Sequence, residues 1–97
     1  MQNAVERALQ VAIEAMIDVA ERILALKKVP PQNNAAKSMF KLQEMNILSD
    51  ASKYEEMVRF RNFIVHRYEV INLEIIFNFV KTMLPLFNHF VDEIRKT

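Results

Sequence analysis

Glycine is absent from this chain of 97 residues, although 52% of the residues are hydrophobic. Glycine most often supplies the tight turns between short elements, because it reaches left-handed backbone conformations at little cost. Its absence therefore favours long helices joined by few connections. A chain of this length forms one domain at most, and the core of so small a domain is thin.

Charge and cysteine content exclude several classes of protein. The chain has thirteen Lys and Arg residues and twelve Asp and Glu residues, which gives a net charge of +1. The chain therefore lacks the basic field of a binder driven by overall charge, and any contact with RNA must come from local charge. The sequence has no Cys, so neither a disulfide nor a thiolate metal site is available. Charged residues interrupt every apolar run, so we expect no signal peptide, no membrane span and a cytoplasmic location.

The first 28 residues have the periodicity of an amphipathic helix. Polar side chains recur on one flank, and apolar side chains cover about half of the circumference. That apolar half is wider than one partner helix covers. The polar flank holds Glu6, Gln10, Glu14 and Glu21, and the apolar half holds Ala8, Ala12, Ala15, Met16, Val19, Ala20 and Ile23.

Prolines and capping residues predict where the first two helices end and begin. Pro30 and Pro31 end the first helix, because proline disfavours helical backbone in the residue before it. Asn33 or Asn34 caps a short second helix that runs to about Met45. The next residue, an asparagine, is predicted to stop that helix in the left-handed conformation, and Ile47 and Leu48 follow as a buried connector.

Two more helices complete the predicted fold. Ser49 or Ser52 caps the third, which ends between His66 and Tyr68, and Asn72 caps the fourth, which runs from Leu73 to about Arg95 with a kink at Pro85. The prediction is an all-α, up-and-down antiparallel bundle of about four helices, with the first and last helices long and antiparallel to each other. The fourth helix is apolar on more than one face, so we expect a homodimer to cover it.

The stretch RNFIVHRY, residues 61–68, holds the candidate site. Arg61, Asn62, His66 and Tyr68 fall within half of a helical wheel, and the apolar residues at 63–65 are predicted to point into the bundle. Arg presents a fork of donors that matches phosphate oxygens, and His exchanges a proton near neutral pH. Asn62 lies one turn before His66 and is positioned to orient its ring. Tyr68 offers a hydroxyl that binds phosphate or is itself modified.

Two interpretations of this stretch stand side by side. No acidic pair, second nearby His or Cys accompanies it, so we expect no metal site. RNA cleavage without metal needs a base for the ribose 2′-hydroxyl and a cation for the phosphorane, which His66 and Arg61 supply. One His does not easily serve as acid and base in one step, and two copies facing each other would divide the roles. The other interpretation is an ordinary solvated helix face.

Arg61-Asn62-Phe63-Ile64-Val65-His66-Arg67-Tyr68 resembles the R-x4-H-x-Y signature of the HEPN-superfamily ribonucleases, and of the HepT-type toxins in particular. The stretch AVERALQVAIEAMIDVAERI resembles the long helix of that family, and VPPQNNAAKSMFKLQEMNILSD resembles its proline turn and short helix. The resemblance covers essentially all 97 residues. It implies a single HEPN-like domain, residues 1–97, and family members usually have about one more helix before this starting point.

The resemblance also implies a function. It indicates a dimeric ribonuclease toxin of a type II toxin–antitoxin pair, whose partner is an MNT-type minimal nucleotidyltransferase. Arg61 and His66 would be the catalytic residues, Asn62 a supporting polar residue, and Tyr68 the position at which the partner adds AMP and silences the toxin. No cofactor is implied.

Two alternatives remain open beside the toxin. The chain is either a non-catalytic subunit that binds a nucleotide or presents Tyr68 to the nucleotidyltransferase, or a plain helical scaffold. Outside the motif, His89 is expected at the surface and the six Met residues in the core. Arg59 and Lys53 either contact RNA backbone or belong to a solvated face. Asp18 either pairs with an Arg or faces water.

Overall fold

In a computed structural model, residues 4–66 and 73–96 are described, apart from the side chains at positions 65, 66, 73 and 75. All regular structure in these ranges is helical, which confirms the all-α class. The helices are α1 (Ala4–Leu26), α2 (Ala35–Glu44), α3 (Ala51–His66) and α4 (Leu73–Arg95). None of these helices is both long and apolar enough to cross a membrane.

The core is built on one stripe of α1 rather than on its whole apolar half. Met16 and Ala20 are buried as predicted, but Ala8, Ala15 and Val19 lie at the surface. The buried stripe follows helical spacing, because every third or fourth residue returns to the same face. Its members are Leu9, Ile13, Met16, Ile17, Ala20 and Leu24, and they pack against Met39, Leu42, Leu48, Tyr54, Met57, Ile76, Met83 and Phe90 from the rest of the bundle.

Aromatic contacts fix the direction of α4 against α3. Tyr54 near the start of α3 meets Phe90 edge to face with ring centroids 5.3 Å apart, and Phe60 further along α3 stacks on Phe79 at 3.6 Å. Later residues of α3 therefore meet earlier residues of α4, so the two helices are antiparallel.

Helices α1 and α4 run in the same direction, so the prediction that they are antiparallel to each other was wrong. Val5 lies beside Phe77, and Val19 lies beside Val91. Because α3 is antiparallel to α4, it is also antiparallel to α1. α4 continues through Pro85, and the kink predicted there stays a prediction.

An apolar depression, here called the α1–α4 groove, follows the boundary between these two helices. It consists of three adjoining hollows of about 470, 540 and 560 Å³. Among the residues that line it, one apolar row on each helix is spaced alternately three and four apart, which is the spacing of a helix-packing seam. These rows are Val5, Ala8, Ala12, Ala15 and Val19 on α1, and Phe77, Val80, Leu84, Phe87, Val91 and Ile94 on α4.

The ends of α1 and α2 show how a chain without glycine makes its turns. Lys28 has φ 61° and Asn46 has φ 64°, each two residues beyond the last helical residue. After α1, the N–H of Lys28 bonds to the carbonyl of Ala25 and the N–H of Val29 to that of Leu24. These paired bonds are the Schellman arrangement, which normally uses glycine at the left-handed position. The left-handed stop predicted at Asn46 is confirmed, whereas the one at Lys28 was missed.

The helix starts were predicted with mixed success. Asn34 caps α2, because its side-chain oxygen accepts from the N–H of Lys37 at 2.8 Å. The predicted cap of α3 at Ser49 or Ser52 was wrong. Asp50 precedes that helix and accepts from both the N–H and the hydroxyl of Ser52, at 3.1 and 2.6 Å. A carboxylate accepts hydrogen bonds more strongly than a hydroxyl, so Asp50 takes the capping role. The cap predicted at Asn72 lies outside the described residues.

Candidate functional site

Arg61 and Asn62 lie in the last two turns of α3, which is anchored by residues on its other face. Val58 and Ile64 are buried, so this part of the helix is packed on the core. The prediction that residue 64 points into the bundle is confirmed. The same prediction was wrong for Phe63, which is 41% exposed.

The guanidinium of Arg61 is held at two of its nitrogens. Nε donates to Oδ1 of Asn62 at 2.8 Å, and Nη1 forms an ion pair with Oε2 of Glu14 on α1 at 3.8 Å. The Arg61 side chain is 22% exposed, so it is partly enclosed but open to a ligand. The positive fork is thus placed at the surface in a defined orientation.

The start of α2 lies next to Arg61 and Asn62. Residues from both helices line a shallow depression of about 240 Å³, and the α2 side is formed by Asn34, Ala35 and Ala36. A helix start carries partial positive charge and N–H donors, which favour an anion. A guanidinium fork and a helix start at one depression are groups that suit a phosphate.

Arg59 lines the same depression but is engaged by an acid. Its Nη2 lies 3.1 Å from Oε1 of Glu55, one turn earlier on α3, and the Arg59 side chain is 74% exposed. Exposed pairs of this kind are weakly held. Arg59 is therefore available to phosphate after a small rearrangement, which keeps both predicted roles of this residue open.

The predicted site residues are not all within the described structure. His66 is the last residue of α3, but its side chain lies outside the description, and Tyr68 lies in the undescribed segment 67–72. Asn62 was predicted to orient His66, and this stays a prediction because the His66 side chain lies outside the description. In the described structure Asn62 accepts a hydrogen bond from Arg61.

The other residues singled out in the sequence have plain surroundings. Asp18 does both things considered for it, since it pairs with Arg22 at 2.9 Å while 60% exposed. Lys53 is exposed, and His89 is half exposed beside Glu93. The described Met residues are fully or partly buried, as predicted for core fillers: Met16, Met39, Met45, Met57 and Met83.

A second polar cluster ties the end of α4 to the start of α3. One carboxylate oxygen of Glu93 accepts from the hydroxyl of buried Tyr54 at 2.8 Å, and the other accepts from the N–H of Ser49 at 2.7 Å. Burial raises the pKa of Tyr54 well above its ordinary value, and the bond to Glu93 adds to this effect. Burial alone would raise the pKa of Glu93, but the bonds from Tyr54 and Ser49, aided by nearby His89, lower it. The cluster is a structural clamp.

Glu14 is the site residue that the sequence did not identify. It was placed on the polar flank of α1, but its partner lies 47 residues away in the chain, on another helix. The signal that was available is the recurrence of Gln10 and Glu14 one turn apart, next to a stripe that must be buried. Among the described residues, no group of three His, Asp or Glu side chains is placed to hold a metal ion.

Comparison with known proteins identifies the class of this protein. A family model described as Ribonuclease HepT-like matches residues 1–94, so the chain belongs to the Ribonuclease HepT-like family. The family resemblance read from the motif is thereby confirmed, as is the prediction that the chain is of a ribonuclease class.

Two relatives show how far the similarity extends. A protein of Shewanella oneidensis named mRNA nuclease HepT is 30% identical over 97 residues, which is 98% of this chain and 73% of that protein. A solved structure titled "Crystal structure of the toxin-antitoxin with AMP-PNP" is 28% identical and has a TM-score of 0.85. That match covers 96% of this chain and 72% of the chain in that structure. The bundle is therefore the fold of the matched part of that solved structure.

Proposed function

We propose that this protein is an endoribonuclease toxin of a toxin–antitoxin pair that cleaves RNA without a metal ion, using Arg61 and His66. The supporting observation is the Arg61 guanidinium, which Asn62 and Glu14 hold beside the start of α2. The named activity of the Shewanella oneidensis relative agrees with this assignment. Residue 66 is the last residue of α3, one turn beyond Asn62, so the part of the motif from Arg61 to His66 is carried on one helix.

Arg61 would bind the phosphate at the cleavage point. The phosphorane formed during cleavage carries more negative charge than the starting diester, and a prepositioned guanidinium stabilises that charge without reorganisation. The partial positive charge of the α2 start adds to the same field. Since the net charge of the chain is only +1, this local charge would provide most of the attraction for RNA.

His66 would move the proton. It takes the proton from the ribose 2′-hydroxyl as the 2′-oxygen forms a bond to phosphorus. The bond from phosphorus to the 5′-oxygen then breaks, and that oxygen takes a proton from a second acid. The products are a 2′,3′-cyclic phosphate and a 5′-hydroxyl. A second copy of the chain would supply the second His, so that one ring acts as base and the other as acid.

A homodimer is part of this proposal, and the α1–α4 groove supports it. Six exposed or half-exposed apolar residues follow one face of α4 with alternating spacing of three and four, and five on α1 run beside them. Apolar seams of this form pack against further helices. A second copy of the chain would cover this face.

The proposed partner is an MNT-type nucleotidyltransferase that silences the toxin at Tyr68. As the tyrosine hydroxyl gives up its proton, its oxygen would form a bond to the α-phosphorus of ATP. The bond from that phosphorus to the oxygen that bridges to the β-phosphorus would break, and pyrophosphate would leave. The attached AMP carries a negative phosphate seven residues after Arg61, close enough along the chain to compete for its guanidinium. The similar solved structure supports the idea, because it is of a toxin–antitoxin with AMP-PNP, an ATP analogue. RNA and ATP are both cytoplasmic, so we place the pair in the cytoplasm.

A second candidate function is a non-catalytic subunit that presents Tyr68 to the nucleotidyltransferase. The near-neutral charge favours it, since nucleases gain affinity from a basic field. In this version Arg61 and Asn62 still bind a phosphate, but no RNA strand is cut. The two candidates differ in one observable, which is strand scission by the purified chain.

The test uses purified protein with cellular RNA and excess chelator. The wild type is compared with Arg61→Ala and His66→Ala, and each variant has a matched control in a surface residue of the same type, Arg22→Ala and His89→Ala. We expect cleavage by the wild type and both controls, and a loss of at least about 100-fold in both site variants.

Full activity in His66→Ala would refute the assigned role of His66. Absence of cleavage by the wild type, with its fold and dimer intact, would favour the second candidate. Mixing with the nucleotidyltransferase and ATP, followed by mass spectrometry of Tyr68, would then show whether the chain is its substrate.

A further inference from the structure

We infer that Glu14 is a positioning residue for Arg61, which fixes the guanidinium in the orientation that meets an RNA phosphate. The inference rests on the proposed ribonuclease function and adds a residue from α1 to a site otherwise built from α3. Its basis is the ion pair between Oε2 of Glu14 and Nη1 of Arg61, which joins the two helices at 3.8 Å.

Glu14 and Asn62 hold different parts of the Arg61 guanidinium. Asn62 accepts from Nε at 2.8 Å, and Glu14 faces Nη1. An arginine side chain is long and rotates about several bonds, so one contact leaves the plane of the fork free to turn. A second contact at another nitrogen defines that plane. Within the described structure the contacts of the guanidinium are at Nε and Nη1, which leaves the donors of Nη2 for phosphate.

Glu14 is itself held by a neighbour on α1. Nε2 of Gln10 donates to the same carboxylate oxygen, Oε2, at 3.5 Å. Gln10, Glu14, Arg61 and Asn62 therefore form one line of polar contacts across α1 and α3. Through these contacts, the packed helix α1 helps to fix the position of the Arg61 guanidinium at the surface.

Stability alone does not account for this pair. The Glu14 side chain is 43% exposed, and ion pairs between partly exposed side chains contribute little to folding. A carboxylate beside a phosphate-binding arginine also repels the phosphate, which weakens ground-state binding of RNA. The arrangement is explained if the fixed orientation of Arg61 matters most in the transition state, where the charge is greatest.

Removal of the Glu14 carboxylate would misalign Arg61 but would also remove a charge that repels the phosphate, so kcat and KM should respond differently. In Glu14→Ala we expect kcat to fall about 10- to 100-fold, since the fork is no longer aligned. We expect KM to stay equal or to fall, since a negative charge has left the site. A defect that only loosened the fold would not strengthen RNA binding. Glu14→Gln should recover part of kcat, because the partial negative charge of its amide oxygen still faces Nη1, whereas Glu14→Asp should not, because its shorter side chain does not reach.

The matched control is Glu21→Ala, which removes an exposed carboxylate from the same helix. Thermal unfolding of both variants establishes that the bundle is intact. An unchanged kcat in Glu14→Ala, or a KM that rises instead, would overturn the inference.

A second measurement does not depend on cleavage. In ¹⁵N NMR spectra, a guanidinium held at Nη1 gives separate Nη signals, and one that rotates freely gives an averaged signal. We expect separate Arg61 signals in the wild type and in Glu21→Ala, and an averaged signal in Glu14→Ala. An averaged signal in the wild type, or separate signals in all three proteins, would contradict the inference. If the wild type cuts no RNA, the proposed function has failed, and this measurement alone decides the role of Glu14.

Discussion

At the scale of single residues, contacts between distant parts of the chain decide both the site and the stability. Arg61 forms an ion pair with Glu14, and Glu93 binds Tyr54 and Ser49. The Glu93 contacts have no sequence signature, because periodicity shows which face of a helix is polar but not which helix that face meets.

Tyr54→Phe tests the clamp between α3 and α4. The Tyr54 side chain is fully buried, and its hydroxyl donates to Glu93 at 2.8 Å. Removal of the hydroxyl leaves the buried ring in place but takes a bond from a carboxylate. We expect a loss of about 1–2 kcal/mol in the free energy of unfolding, measured by chemical denaturation. A variant as stable as the wild type would show that the bond contributes nothing.

The lowered pKa of Glu93 also predicts that the free energy of unfolding depends on pH. Its pKa in the folded chain is lowered from 4.5, so the folded state binds this proton less readily than the unfolded state. The stability that Glu93 contributes is therefore complete above the unfolded pKa and is lost as the pH falls through the folded value. We expect a steeper loss of stability below about pH 5 in the wild type than in Glu93→Gln.

The wild type must be compared with Glu93→Gln because the pKa of a second carboxyl group, that of Asp50, is also lowered. Hydrogen bonds from Ser52 lower the pKa of Asp50 in both proteins, so that contribution cancels. Identical pH profiles for wild type and Glu93→Gln would contradict the account of the clamp.

At the scale of helices, local sequence predicted a great deal. The end of α1 before the prolines, the end of α4 near Arg95 and a cap of α2 at Asn33 or Asn34 were all predicted, because each depends on residues within one turn. The cap at Asp50 was missed, because Ser49, Asp50 and Ser52 all suit that position and the stronger acceptor strength of the Asp50 carboxylate was not weighed.

Asn34→Ala tests the α2 cap, and Asn33→Ala is the matched control. Asn34 accepts from the N–H of Lys37, whereas Asn33 is the exposed residue before it. We expect Asn34→Ala to lower the free energy of unfolding by about 1 kcal/mol and Asn33→Ala to change it little. Equal effects from both substitutions would argue against the cap.

Lys28→Gly should stabilise the protein, although glycine within a helix has the opposite effect. Lys28 has φ 61°, which costs a residue with a Cβ atom energy that glycine avoids. We expect a gain of up to about 1 kcal/mol in the free energy of unfolding, measured by denaturation. The control, Lys27→Gly, alters a residue that has no positive φ and should not stabilise. A loss of stability in Lys28→Gly would contradict this view of the α1 end.

At the scale of the whole molecule, the sequence predicted the all-α up-and-down bundle but not the relative direction of α1 and α4. The apolar half of α1 was rightly found to be wider than one partner helix covers, and the structure divides it into a buried stripe and the α1–α4 groove. The parallel course of α1 and α4 was not predicted, because apolar spacing reads the same in either direction along a helix.

The homodimer is tested by placing a charge in that groove. Leu84 is 58% exposed on the α4 side of the groove, and Leu26 is 82% exposed at the end of α1, outside the hollows. In light scattering we expect a dimer for the wild type and for Leu26→Glu, and a monomer for Leu84→Glu, since burying a charge in an apolar interface is costly. A monomeric wild type at micromolar concentration, or a dimeric Leu84→Glu, would contradict the proposed interface.

The most direct test of the central claim is to identify the RNA ends that the wild-type protein leaves when all metal is chelated. A reaction in which the ribose 2′-oxygen attacks the phosphate bound by Arg61 predicts fragments with a 2′,3′-cyclic phosphate and a 5′-hydroxyl. Fragments with a 5′-phosphate, or cleavage that stops when metal is removed, would contradict the proposed chemistry.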